Sequence, residues 1–186
     1  MTDELRHDVD ERMGRALEAL ERELAAVRTG RASTALVERV PVEYYGTQTP
    51  LNQLASISVP EAHTIVIQPW DRSALGAIEK AILKSEVGLT PNVDGTVVRL
   101  NIPTLTEERR KDLVRLVHKR MEEARVEIRN HRRDAADELK RLEREGEFGA
   151  DEGRRLLEVL QKQTDRWTAE VERAGKHKEQ EILEGA

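Results

Sequence analysis

Apolar positions recur along the chain at two different periods, and the switch between them divides it into parts. From residue 3 to residue 28, Leu5, Val9, Met13, Leu17, Leu20, Leu24 and Val27 follow at steps of four and three. That is one buried face on a helix of 3.6 residues per turn. Thr2 is placed to cap its start, with Asp3 and Glu4 in the first turn, where the helix dipole favours negative charge. Thr29-Gly30 predicts its end, because glycine accepts the left-handed backbone of a helix C-terminus.

Residues 31–104 follow a different pattern. All six prolines and both tyrosines lie here. Alternating or short β-branched runs at Val40–Tyr45, Ser56–Val59, Thr64–Gln68 and Thr96–Ile102 predict strands, bounded by Gly46, Pro50, Pro60, Pro69 and Asp94-Gly95. One helix interrupts them, with Ser73 as its predicted N-cap and Leu75, Ile78, Ala81 and Ile82 as its apolar stripe. The segment reads as a small mixed domain of short strands and one helix.

The helical period returns at 106–145. Thr106 is the predicted cap, followed by Glu107 and Glu108, and Val117, Met121, Ala124, Ile128, His131, Ala135 and Leu142 continue a seam. Gly146 and Gly149 mark a break. Residues 151–183 form the last helix, with Leu156, Leu160, Gln163, Trp167, Val171, Ala174 and Ile182 on one face. Gly153 and Gly175 should weaken it locally, by about 1 kcal/mol each relative to alanine.

Three long helices with one apolar stripe each must bury those stripes together. The expected architecture is α+β: an elongated antiparallel three-helix bundle from residues 1–29 and 106–186, with a small domain, 31–104, inserted between its first two helices. The middle helix should be roughly 60 Å long at 1.5 Å per residue. The two connections, 29–32 and 103–105, should lie side by side and act as a hinge, giving an L-shaped molecule. Arg28, Gly30, Arg31, Pro103 and Thr104 are the expected hinge residues.

Composition excludes several classes of function. The 186 residues contain no cysteine, so there is no thiol nucleophile and no thiolate metal site. No apolar run is long enough to span a membrane, and the charged N-terminal thirty residues carry no secretory signal, so a soluble cytoplasmic protein is expected. No phosphate-binding glycine loop of the P-loop or dinucleotide type is present, and the five histidines are scattered without metal-ligand spacing. Neither a cofactor, a metal nor a catalytic residue is expected. Trp167 should lie in the bundle core. Trp70 is open to either packing or contact, one of Tyr44 and Tyr45 should face outward, and Phe148 should be either an exposed contact or a cap on the bundle end.

Net charge is −5, but its sign is local. Residues 105–145 hold 13 basic and 11 acidic groups, and Arg109–Arg133 hold ten basic against four acidic. At 100° per residue, Arg110, Lys111, Arg115, Arg125, Arg129, Arg132 and Arg133 fall within an arc of roughly 140°, about 100° from the seam. Two readings are open. The stripe is a solvated face whose arginines pair with Glu122, Glu123 and Glu127 at helical spacing. Alternatively, it is a phosphate site, for which the planar arginine fork is well suited. A local basic stripe on an acidic chain fits one structured polyanion, not indiscriminate nucleic-acid binding. Rival classes are a coiled-coil protein that self-associates through its seams and a free RNA-binding module.

Specific strings narrow this further. They are Arg28-Thr-Gly-Arg-Ala-Ser33; Val42-Glu-Tyr-Tyr-Gly-Thr47 with Thr49-Pro-Leu51 and Gln53-Leu-Ala-Ser56; Thr106-Glu-Glu-Arg-Arg-Lys-Asp-Leu113; and Arg125-Val-Glu-Ile-Arg-Asn130 with Arg132-Arg-Asp-Ala135. Together and in order, they resemble the ribosome recycling factor family over the whole chain. The resemblance implies a non-enzymatic translation factor with a three-helix bundle, a β/α/β sandwich domain, a hinge and a tRNA-like outline, and, against the self-associating rival, an elongated monomer is expected. It implies partners: the large ribosomal subunit with its rRNA, and elongation factor G. With that factor's GTP hydrolysis, the post-termination ribosome is split and its mRNA and tRNA released. Arg110, Arg129 and Arg132 match family positions facing rRNA, and Arg28 and Arg31 match basic residues at the first linker. Lys111, Arg125 and Arg133 join the expected rRNA-binding set by angle alone. Gln48 replaces a frequent proline and His131 a usual aliphatic residue of the family, which should loosen one loop and make the seam at His131 pH-sensitive.

Overall fold

The computed structural model describes residues 2–185. They fall into two compact units, residues 2–28 with Glu107–Leu183, and Thr29–Thr106 with residues 184–185. The proposed cap at Thr2 rests on a side chain outside the described residues.

The first unit consists of three helices, α1 (Thr2–Ala25), α3 (Glu107–Arg144) and α4 (Ala150–Glu184). Val9, Met13, Ala16, Leu20 and Leu24 of α1 are buried, as are Val117, Met121, Ala124, Ile128, Ala135, Leu139 and Leu142 of α3 and Leu160, Val171 and Ile182 of α4. Each large apolar side chain removed from water this way contributes about 1.5–3 kcal/mol. Cross-helix contacts set the directions. Gln163 Nε2 donates to the Arg6 carbonyl at 3.0 Å and Trp167 Nε1 to Asp10 Oδ1 at 2.9 Å, so α1 and α4 run the same way. Arg125 meets Glu172 and His118 meets Glu179, so α3 runs against α4. Polar partners inside an apolar seam admit one register and penalise a slip. Trp167 is therefore half-buried and hydrogen-bonded, not plain core.

Helix ends show what the periodicity missed. α1 stops at Ala25, where Val27 N bonds the Leu24 carbonyl at 3.1 Å and tightens the last turn. Gly30, with φ 76°, thus lies beyond the helix in the connection and is not its cap. By contrast, Gly146 does cap α3. With φ 82°, its N–H bonds the Glu143 carbonyl and the Glu147 N–H bonds Leu142, closing the orphan carbonyls of the last turn. Phe148 is half-buried and its ring lies against Gly153, so it covers this end of the unit.

The second unit holds a hairpin of β1 (Pro41–Tyr44) and β2 (Thr47–Pro50) and a four-stranded antiparallel sheet ordered β3-β4-β6-β5. The latter comprises β3 (Ala55–Glu61), β4 (Thr64–Pro69), β5 (Pro91–Asp94) and β6 (Val97–Asn101). Helix α2 (Leu75–Lys84) packs against β1 and against β5 and β6. Ile65 and Ile67 of β4, Val98 and Leu100 of β6, Val42 of β1 and Ile78 and Ile82 of α2 form the core. Prolines stay on the edge strands or at strand ends, where no ladder donor is lost. Pro60 sits at the irregularity of β3 between Ser58 and Glu61. The cap before α2 is Asp71, not Ser73: its carboxylate accepts from Ser73 N at 3.0 Å, opening a short 3₁₀ turn ahead of the helix.

Tyr44-Tyr45-Gly46 does more than end a strand. Tyr44 pairs with Thr47, so Tyr45-Gly46 is a two-residue turn with φ 47° and 75°. Both positive values match the type I′ turn, which favours Asn-Gly. Tyr45 adopts this conformation with its side chain in solvent, while the Tyr44 hydroxyl donates to Asp71 Oδ2 at 2.7 Å. Trp70 is likewise exposed.

Candidate nucleic-acid interface

Helix α3 fixes the arginines by spacing. Arg125, Arg129 and Arg132 sit four and three residues apart, one above the other on one face. The antiparallel α4 adds a second wall with Gln161, Thr164, Asp165 and Thr168 at the same helical spacing. Between them lies a groove of about 330 Å³. Thr164 is buried and spends its hydroxyl on the Leu160 carbonyl at 2.8 Å, while Gln161 donates to Asp165 at 2.8 Å.

The arginines are not equivalent. Arg125 is half-buried, giving Nε to Glu172 and Nη1 to Glu122, each at 2.6 Å. Arg129 is exposed and gives Nη2 to the other oxygen of Glu122 at 2.8 Å. Hydrogen bonds from Arg129 and then Arg125 hold the Glu122 carboxyl below its ordinary range despite desolvation. The bond to Glu172 leads the causes that push the Arg125 guanidinium up. Arg132 is half-buried and has no ion pair with any described residue.

The other expected residues do not enter this groove. Arg110 and Lys111 stand at the start of α3, with Arg110 about 33 Å from Arg132 along the helix at 1.5 Å per residue. Arg110 is half-buried, and its Nε is buried without a hydrogen-bond partner among the described residues. Lys111 pairs with Glu107 at 2.9 Å. Arg133 is exposed and donates to Asn130 Oδ1 at 3.1 Å. The stripe is thus neither wholly exposed nor wholly free. Arg110, Arg125 and Arg132 lay their stems along the protein, as long cationic side chains do. The paired reading holds in part as well: Glu122 bridges two arginines, Glu123 pairs with Arg120, and Glu127 lies 3.5 Å from the half-buried His131.

Sequence reasoning missed the α4 wall. Its signal was available: Gln161, Thr164, Asp165 and Thr168 form a polar stripe beside the apolar seam of a helix that the periodicity had already placed.

The expected hinge residues lie in irregular backbone. Arg28, Pro103 and Thr104 are exposed, Gly30 is buried, and Arg31 is exposed with Glu184 at 3.3 Å. One two-residue turn, Ala62-His63 between β3 and β4, gathers both connections. The Ala62 carbonyl accepts from Ala32 N at 2.7 Å, the His63 carbonyl accepts from Ile102 N at 2.8 Å, and His63 Nδ1 donates to the Gly30 carbonyl at 2.8 Å. A Cβ at Gly30 would come within 3.1 Å of Leu105 Cγ, so a side chain there would press on the second connection as well.

Among the described residues, no helix is long and apolar enough to cross a membrane, and no group of three or more His, Asp or Glu side chains is arranged to hold a metal ion.

Comparison with known proteins gives one consistent result. The family model described as "Ribosome recycling factor" matches residues 20–183. The ribosome-recycling factor of Shouchella clausii is 57% identical over 184 residues, covering 99% of this chain and all of the relative. That of Halalkalibacterium halodurans is 54% identical with the same coverage. A solution structure of the ribosome recycling factor superposes with a TM-score of 0.73 at 48% identity, covering 98% of this chain and 97% of that one. A second structure has a TM-score of 0.63 at 49% identity and covers 98% of this chain and 99% of its own. It belongs to a set of models of the T. thermophilus ribosome recycling factor and the E. coli elongation factor G bound to the E. coli post-termination complex.

Proposed function

Because the chain belongs to the ribosome recycling factor family, we propose that it binds the ribosome after peptide release through large-subunit rRNA. Together with elongation factor G, it then separates the subunits in the cytoplasm. The chain supplies no bond-making chemistry and is not an enzyme; GTP hydrolysis on the partner provides the work. The relative bound beside elongation factor G on a post-termination complex supports these partners.

The observation that carries the rRNA reading is the convergence of Arg125, Arg129 and Arg132 on one groove of an otherwise acidic protein. Guanidinium forks match phosphate oxygens in pairs, and a groove walled by hydroxyl and amide groups suits a sugar–phosphate backbone. Arg132 is the open fork at which a phosphate arrives without first breaking an ion pair with any described residue. Arg110, Lys111 and Arg133 extend the contact along α3. The connections at 29–32 and 103–105 serve as the hinge, and the Ala62-His63 turn keeps them together while the rest flexes.

Light scattering from post-termination ribosomes tests the function. Addition of the protein with elongation factor G and GTP should lower the signal as 70S particles separate. A non-hydrolysable GTP analogue should leave it unchanged, as should the Arg125→Ala/Arg129→Ala/Arg132→Ala variant. Full splitting by the triple variant would remove the groove from the account, and no splitting by the wild type would refute the function.

A further inference from the structure

Glu122 bridges two of the arginines that line the groove. Its two oxygens are each taken by a different guanidinium, Oε2 by Arg125 Nη1 at 2.6 Å and Oε1 by Arg129 Nη2 at 2.8 Å. A bridging phosphate would present the same feature to these two side chains, one anionic oxygen for each fork. Arg125 has a second anchor in Glu172 and would stay in place without Glu122. Arg129 has no ion pair other than the one with Glu122 among the described residues.

We infer that Glu122 is an intramolecular stand-in for an RNA phosphate: it holds Arg125 and Arg129 convergent in the free protein and must be displaced when the groove is filled. The inference rests on the rRNA reading of this groove and adds its regulation. Binding begins at Arg132, which has no ion pair among the described residues, and a neighbouring phosphate then exchanges with the carboxylate for the Arg129 fork. The exchange trades one charge-assisted pair for another, so the two arginines contribute less net affinity than two free cations would. The tethered carboxylate also lowers the groove's affinity for loose polyanions, because a ligand that cannot engage Arg132 and the exchanged fork together gains little. The same two hydrogen bonds hold the Glu122 carboxyl below its ordinary range.

The test is binding of the full-length protein to purified large ribosomal subunits, read by sedimentation at several salt concentrations, for the wild type, Glu122→Gln and Glu123→Gln. Glu123 is the neighbouring carboxylate, but it pairs with Arg120, outside the groove. Both variants add one positive charge to the net balance. Glu122→Gln should tighten binding by about three- to five-fold, the worth of one exposed ion pair, and steepen the salt dependence as another phosphate contact becomes fully effective. Glu123→Gln should change binding much less. In an Arg129→Ala background the gain from Glu122→Gln should shrink, because the fork for which carboxylate and phosphate compete is gone. Equal tightening by both variants would reduce the effect to net charge and overturn the inference. Weaker binding by Glu122→Gln would do the same, making Glu122 an organiser and not a competitor. Either result leaves the rRNA reading standing as long as the wild type binds. Absence of wild-type binding would overturn both.

Discussion

Tyr44 and Asp71 join two segments far apart in sequence through one hydrogen bond of 2.7 Å. The bond to the Asp71 carboxylate pushes the Tyr44 phenol up to about 12, and the same bond, with those from Ser73, holds Asp71 below its ordinary range. The signs are opposite in their pH consequences. The raised phenol gives stability that is complete below the ~10 of an unfolded tyrosine and is lost as pH rises through about 12. The depressed carboxylate gives stability present above the unfolded carboxylate range and lost as pH falls through its lowered value. Tyr44→Phe should therefore unfold at lower urea than the wild type between roughly pH 5 and 10, with the gap closing towards strong acid as Asp71 protonates. A gap independent of pH down to the acid limit would mean that ring packing, not the hydrogen bond, explains the difference.

Among the glycines of the described helices, Gly175 leaves the least room for a side chain. A Cβ there would collide with Met121 Sδ and lie 2.7 Å from its Cγ, and Met121 is itself buried. Periodicity alone makes this glycine a local weakness of about 1 kcal/mol; packing makes it the residue that lets α4 sit against α3. Gly175→Ala should lower stability by about 1–2 kcal/mol, since overpacking outweighs the gain in helix propensity. In a Met121→Ala background the same change should become neutral or stabilising, which thermal unfolding of the four proteins would show. The contrast marks how far the sequence can be read. Long seams such as Val9-Met13-Leu20-Leu24 repeat over many turns, so their helices and inward faces were legible. β2 and β5 were not: Thr47–Pro50 and Pro91–Asp94 are four residues each, mostly polar, and owe their strand form to partners across tight turns. The arginine face was legible from angle, but its neutralisation by Glu172 was not, because that contact joins residues 47 apart across two helices. Angle also put Arg110 on the same stripe as Arg132 but says nothing of their separation along α3, which is about 33 Å.

At the level of the whole molecule, a chain of net charge −5 carries a groove lined by three arginines. Such a distribution disfavours loose attachment to nucleic acid and rewards a single docked geometry in which the groove meets phosphate while the acidic surfaces face away. The central claim is that this groove anchors the protein to the large subunit, and Arg132, half-buried in it and without an ion pair among the described residues, is the most direct probe. The decisive measurement is the affinity of the wild type and Arg132→Ala for purified large ribosomal subunits as a function of salt, with circular dichroism confirming an unchanged fold. The account predicts clearly weaker binding for the variant and a log–log salt slope shallower by about one. Equal affinity and equal slope for the two proteins would contradict it and move the anchor elsewhere on the chain.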